Sequence, residues 1–195
     1  LITGASSHLG EALVSTAIAR DHRVIACSRR PMAAKSNDPR MLVQLDGMDL
    51  SQDAALESLR DVVRERFTGP FSVVNYMGHF PGYVDIAQLP PMVAREVMES
   101  NFMTLYGVAH VLLPLMIEQG AGEFVNFSAH SQYQCYPKMG AFNCAKAAVE
   151  ALTVSLSNEY LRAGVRANCF ALATMLTPEE QQMKPKGDHA HWLLP

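Results

Sequence analysis

The residues best able to do chemistry open the chain. Thr3-Gly4-Ala5-Ser6-Ser7-His8-Leu9-Gly10 joins an apolar, strand-like start to a helix-like run. Glycines in such a turn let the backbone approach a pyrophosphate, and the following helix N-terminus offers it unpaired N–H groups. At the end of the next apolar stretch stands Cys27-Ser28-Arg29-Arg30. An acidic residue there would accept from a ribose 2′-hydroxyl, whereas arginine favours a 2′-phosphate through charge-assisted bonds. Ser28 and Arg29, with His8 nearby, therefore point to NADP(H) ahead of NAD(H), the competing reading being a solvated loop pair. Asn101 sits in a helix interior, where asparagine costs some propensity, and that favours a purpose for it. No metal centre is expected: the seven histidines contain no HExxH, and His189-Ala190-His191 is only a weak hint of a ligand pair.

These residues must be positioned by alternating elements. Leu1-Ile2 ends a strand and a helix follows from about Leu9 to Arg20. Short apolar strands are read at Val24–Cys27 and Leu42–Leu45. Leu56, Leu59, Val62, Val63 and Phe67 then recur at helical spacing. Phe71–Asn75 is a strand closed by the punctuation of Gly78, Pro81 and Gly82. A single helix is expected over Ala94–Glu118, a strand over Glu123–Phe127, a helix over Ala141–Leu161 and a strand over Val165–Phe170. Strand and helix alternating in this way predict right-handed crossovers and a doubly wound α/β, three-layer αβα domain with a Rossmann-type parallel sheet. Functional residues should follow the carboxyl ends of the strands.

Composition narrows the partners. The 195 residues are 49% apolar and 18% charged, enough for one well-cored domain and too apolar for disorder. Sixteen basic against nineteen acidic residues give a net charge of −3, no electrostatic footprint for nucleic acid or an anionic membrane. No unbroken apolar run reaches the roughly 18 residues that span a bilayer. Cys27, Cys135, Cys144 and Cys169 are scattered and read as reduced, small hydrophobes of a cytoplasmic protein. Val108 to Met116 is apolar almost all round, which suits a core or interface helix. The opening Leu1-Ile2-Thr3-Gly4 has no Met and reads as a strand caught near its end, so both termini of a longer single domain, including a last strand after Pro195, are expected to be missing.

The turn TGASSHLG resembles the TGxxxGxG turn of the short-chain dehydrogenase/reductase family, with His8 where the middle glycine usually stands, and the resemblance runs from about Leu1 to Pro178. It implies cofactor contacts from Gly4, Ser6, Ser7, His8, Leu9 and Gly10. Asp49-Leu50-Ser51 is similar to the family's Asp-Val/Leu-Thr/Ser, whose carboxylate accepts from the adenine amino group; Asp46 is a competitor for that role. In Asn75-Tyr76-Met77-Gly78, Asn75 and Gly78 match the family's Asn-Asn-Ala-Gly, and Tyr76 reads as packing beneath the cofactor. Asn101 stands where the family holds a proton-relay water. Thr174 follows the sixth strand, where Leu172-Ala173 replaces the usual Pro-Gly. Thr174, Thr177, Met183, Pro185, Asp188 and Trp192 faintly resemble the tail of dihydropteridine reductases. The family also pairs two helices across a two-fold axis, which implies a homodimer or homotetramer.

At the reaction centre the resemblance breaks. The family uses a serine, a tyrosine thirteen residues later and a lysine four beyond that. Lysine holds the nicotinamide ribose and lowers the tyrosine pKa, tyrosine transfers the proton, and serine orients the carbonyl. Lys146 is present, but Phe142 and Ala129 occupy the tyrosine and serine positions. Phenylalanine has no ionisable proton. Ser131, which strand alternation puts on the face of Ala129, is the foremost substitute, with His79, Tyr133 and Tyr136 behind it. Asn101, Lys146 and Ser131 are thus the expected catalytic set. The leading reading is an NADP(H)-dependent oxidoreductase acting on a small carbonyl, alcohol or pterin-like molecule. The rival is a cofactor-binding protein without catalysis.

Overall fold

The computed structural model describes residues 1–33, 36–186, 189–190 and 192–194. Asp188, His191 and Pro195, on which three of the expectations above touch, lie outside the described residues. Six parallel strands, Ile2–Thr3 (β1), Val24–Ser28 (β2), Met41–Asp46 (β3), Phe71–Asn75 (β4), Gly122–Ala129 (β5) and Val165–Leu172 (β6), form one sheet in the order β3-β2-β1-β4-β5-β6. The helices are His8–Ala19 (α1), Asp53–Arg66 (α2), Pro91–Met98 (α3), Thr104–Gln119 (α4), Ser131–Gln134 (α5), Gly140–Tyr160 (α6) and Pro178–Met183 (α7). This is the doubly wound Rossmann-like architecture that the alternation predicts.

Side-chain alternation along the strands builds two apolar layers. Leu1, Ile25, Cys27, Val73, Phe124 and Val165 pack against Leu56, Leu59 and Val63 of α2, Leu112 and Met116 of α4, and Leu156 of α6. Ile2, Val24, Ala26 and Val74 take the other face, against Val14 of α1. The residues of β6 that alternate outward, Arg166, Asn168 and Phe170, are exposed.

The single helix expected over Ala94–Glu118 is two α-helices joined by a π-turn at Glu99–Met103. Local polar chemistry explains the difference. Asn101 Nδ2 donates to the carbonyl of Val97 at 2.9 Å, and Thr104 Oγ1 donates to that of Glu99 at 2.9 Å. Side chains that capture backbone carbonyls loosen the i→i−4 ladder and favour such a bulge. By length and composition alone the run Pro91–Gln119 could cross a membrane. Here Val97, Leu105, Val108, Leu112 and Met116 are fully or almost fully buried within the fold.

A candidate cofactor and reaction cleft

All six strands end at one edge of the sheet, and the segments leaving them line one cavity of about 970 Å³. At one end lie Gly4, Ser6 and Ser7 with Ser28, Arg29, Arg30, Leu50 and Ser51. The walls also hold Gly78, Asn101, Ser131, Phe142, Lys146 and Thr174. His8, Leu9, Gly10, Asp49 and Asn75 do not line it.

The first turn is shaped by close backbone approach. Gly4 has φ +67°, and a Cβ on it would sit 1.6 Å from the Tyr76 carbonyl oxygen. A Cβ on Gly10 would lie 2.2 Å from the Gly4 oxygen. Ser7 caps α1: its Oγ accepts from the Gly10 N–H at 3.1 Å and donates to the Gly4 carbonyl at 2.8 Å. The turn thus packs tightly against the end of β4 and places Gly4, Ser6 and the N-cap Ser7 on the cavity wall at the start of α1. Residues of this kind suit a dinucleotide pyrophosphate.

At the end of β2, Ser28 is buried and its Oγ donates to the Arg30 carbonyl at 2.6 Å, so the serine shapes the loop while Arg29 and Arg30 stand exposed on the cavity. Asp49 Oδ1 accepts from the Ser51 N–H and hydroxyl at 3.2 and 2.9 Å. Asp46, the competitor, accepts from the Met32 N–H at 3.2 Å. Asp49 is thus engaged in its own turn, and Asp46, at the end of β3, holds the loop that follows β2.

Asn75, which matches the family motif, does not reach the cavity. It is buried beneath the cavity, accepting from Thr3 Oγ1 at 3.1 Å and donating to Asn126 Oδ1 at 2.9 Å. Asn126 in turn donates to Thr153 Oγ1 at 2.9 Å, which donates to the Val149 carbonyl at 2.7 Å. This chain of bonds stitches β1, β4, β5 and α6 together. Tyr76, next in the chain, packs edge-on to Phe127 with ring centres 5.4 Å apart.

Asn101 is fully buried at the centre of the π-turn. Its Nδ2 donates to the carbonyls of His79 and Val97, both at 2.9 Å, which leaves Oδ1 turned to Gly78, where a Cβ would stand 2.1 Å away. Lys146 is 8% exposed; its Nζ donates to the Phe127 carbonyl at 3.1 Å and lies 5.6 Å from the Phe142 ring centre. Burial pushes this ammonium down to about 8, opposed by the negative charge that the nearby Cys169 carries when ionised.

The expected substitutes for the missing hydroxyls separate. β5 ends at Ala129, so strand alternation does not extend to Ser131, which opens α5; Ser128, Ala129, His130 and Ser131 all reach the cavity. Ser131 Oγ donates to Asn143 Oδ1 at 2.8 Å, which commits its proton to α6. Tyr133 turns away and donates to the Glu150 carboxylate at 2.8 Å. His79 and Tyr136 line the cavity. In the tail, the His189 ring packs tilted against Trp192 with centres 4.2 Å apart, and its Nε2 lies 2.9 Å from the Lys184 carbonyl. Sequence reasoning passed over Asn143, the anchor of Ser131, Phe80, whose ring stands beside Phe142, and Tyr83, whose ring packs on Phe80. The only local signal for the last two was a pair of aromatics three apart in a Gly/Pro loop.

A model of the short chain dehydrogenase family matches residues 1–187. L-fucose dehydrogenase of Rattus norvegicus is 26% identical over 189 residues, covering 94% of this chain and 68% of that enzyme. The chain thus spans about two thirds of that relative's length. Among solved structures, a short chain dehydrogenase from Shigella flexneri complexed with NADP superposes with TM-score 0.82 at 22% identity, covering all of this chain and 85% of the other. One from Leptospira borgpetersenii with bound NAD+ gives 0.78 at 18% identity, covering 90% and 70%.

Proposed function

The chain belongs to the short chain dehydrogenase family, and on that premise we propose that it is an NADP(H)-binding oxidoreductase for a small carbonyl, alcohol or pterin-like substrate. One observation carries the reading: a single cavity joins the Gly4–Ser7 turn and Arg29 to Asn101 and Lys146. When bound, the dinucleotide supplies or accepts the hydride. The turn and the α1 N-terminus hold its pyrophosphate, Arg29 pairs a 2′-phosphate at a strand end that carries no carboxylate, and Lys146 holds the nicotinamide ribose. Support for NADP(H) over NAD(H) is the exposed Arg29–Arg30 pair; relatives of the fold hold either cofactor. Because Phe142 has no proton to give, the substrate takes its proton from water or needs little acid help.

The decisive test is titration of the full-length protein with NADPH by fluorescence, with Arg29→Asp alongside. Tighter binding of NADPH than NADH, inverted by the substitution, supports the reading; no binding of either cofactor sinks it. A second reading, cofactor binding without catalysis, is favoured by the joint presence of Ala129 and Phe142. It predicts binding with no turnover on ketones or quinonoid pterins.

Three further parts of the proposal concern surroundings. Tyr106 and Ile117 on α4, with Val154 on α6 and Leu161 just past its end, are exposed apolar side chains and support a homodimer or homotetramer built on these helices. Four unpaired cysteines suit a reducing, cytoplasmic setting. A small molecule, rather than nucleic acid or a membrane, is its partner.

A further inference from the structure

Beside Lys146 the cavity wall is made of stacked edges of aromatic rings. The Phe142 and Phe80 centres are 5.1 Å apart at 66°, and those of Phe80 and Tyr83 are 5.0 Å apart at 76°. All three rings are half-buried and line the cavity. Lys146 lies 5.6 Å from the Phe142 centre at one end, and Lys184 lies 4.6 Å from that of Tyr83 at the other. The loop bearing Phe80 and Tyr83 is pinned to the segment before α6: the Val84 N–H donates to the Lys138 carbonyl at 3.0 Å, and Lys138 Nζ stands 3.7 Å from Asp85 Oδ2. The rings are therefore held in place before any ligand arrives.

We infer that Phe80, Tyr83 and Phe142 form a recognition wall for a planar, conjugated ring, and that the substrate is a carbonyl compound whose own π-system absorbs the charge left by hydride addition. This rests on the reading of the cavity as a reductase site. Successive edge-to-face rings offer both faces and edges to a flat aromatic guest, which gains from quadrupole contacts beyond the area it buries; a saturated ring of the same size gains area alone. The same ring that builds the wall, Phe142, removes the acid that an isolated carbonyl needs. A conjugated carbonyl meets both conditions. It accepts hydride from reduced nicotinamide at the far carbon of its C=C–C=O unit. The new C–H bond forms as the C=C pair shifts to join the α-carbon to the carbonyl carbon and the C=O π pair moves onto oxygen, giving an enolate. That enolate takes one proton from water, and the nicotinamide is left oxidised.

Two measurements test the inference, both on the full-length protein. In the first, 2-naphthol and its saturated decahydro counterpart are titrated calorimetrically in the presence of saturating NADP+. The flat compound should bind about tenfold more tightly, and the ratio should fall toward one in Phe80→Leu and in Tyr83→Leu, with NADPH binding retained as the folding control. In the second, NADPH oxidation is followed with 4-phenyl-3-buten-2-one and with 4-phenyl-2-butanone, and the conjugated ketone should be the better substrate by at least the same factor. Equal binding of the flat and saturated rings, or reduction of the saturated ketone alone, would overturn the inference while leaving cofactor binding intact. Failure to bind NADPH would instead remove the reductase reading beneath it.

Discussion

Nζ of Lys146 lies 5.6 Å from the centre of the Phe142 ring, one helical turn along α6. The only buried lysine among the described residues thus faces a π-surface at the position from which the family delivers a proton. Restoring the two hydroxyls tests what that exchange means. Phe142→Tyr with Ala129→Ser should raise reduction of simple ketones by ~100-fold or more, the scale of a positioned general acid, with Lys146 favouring the ionised phenol. Steady-state NADPH oxidation measures it; an unchanged rate with NADPH still bound would show that the cleft is not assembled for carbonyl reduction.

The buried ammonium also makes a pH prediction. Lys146 is pushed from 10.5 down to about 8, so between those values the unfolded chain holds the extra proton and stability contributed by this group rises with pH. Below about 8 the lysine is charged in both states and costs the fold on the order of 3 kcal/mol. Lys146→Met should therefore have a higher Tm than the parent near pH 7, and the gap should close by pH 10. Burial raises Cys27 to about 12, which lowers stability above pH 9 in both proteins and cancels in the difference. A gap independent of pH would refute the assignment.

Asn75 separates structural from ligand roles. Asn75→Ala strands the Thr3 hydroxyl and the Asn126 Oδ1 of a buried chain. A loss of about 2–4 kcal/mol in denaturant unfolding is expected, with the NADPH Kd changed less than about threefold at temperatures where the variant is folded. A large change in Kd at unchanged stability would return Asn75 to the cofactor.

Gly78 and Asn101 form one unit. A Cβ at Gly78 would meet Asn101 Oδ1 at 2.1 Å, and the residue has φ +151°. Gly78→Ala should displace the Asn101 amide from the His79 and Val97 carbonyls, destabilise the fold by about 2 kcal/mol or more, and speed amide exchange within residues 97–104. Normal exchange protection there would show that the π-turn does not depend on this contact.

How far the chain could be read in advance varies by element. Phe71–Asn75 was legible to the residue because punctuation follows it at once, and α2 because its apolar residues recur cleanly at helical spacing. The π-turn was hidden: Asn101 and Thr104 look like ordinary helix residues until their side chains are seen to take backbone carbonyls. Asn75 matched a motif, but its partners Thr3, Asn126 and Thr153 are distant in the chain, and no local pattern announces them. Phe80 and Tyr83 lie in the loop punctuated by Gly78, Pro81 and Gly82, and nothing near them in the chain points to Phe142.

By itself the sequence determined the alternation of strands and helices, the edge at which function must gather, and the absence of hydroxyls at Ala129 and Phe142. Those are matters of periodicity and side-chain chemistry, which no packing can alter. Only the tertiary structure decided which residues share the cleft, that Lys146 is buried with a backbone carbonyl as its hydrogen-bond partner, that Asn75 serves the sheet, and that Phe142, next to the lysine, starts a row of three rings. Burial, hydrogen-bond partners and ring contacts are set between residues far apart in the chain, and they exist only once the sheet brings its strand ends together.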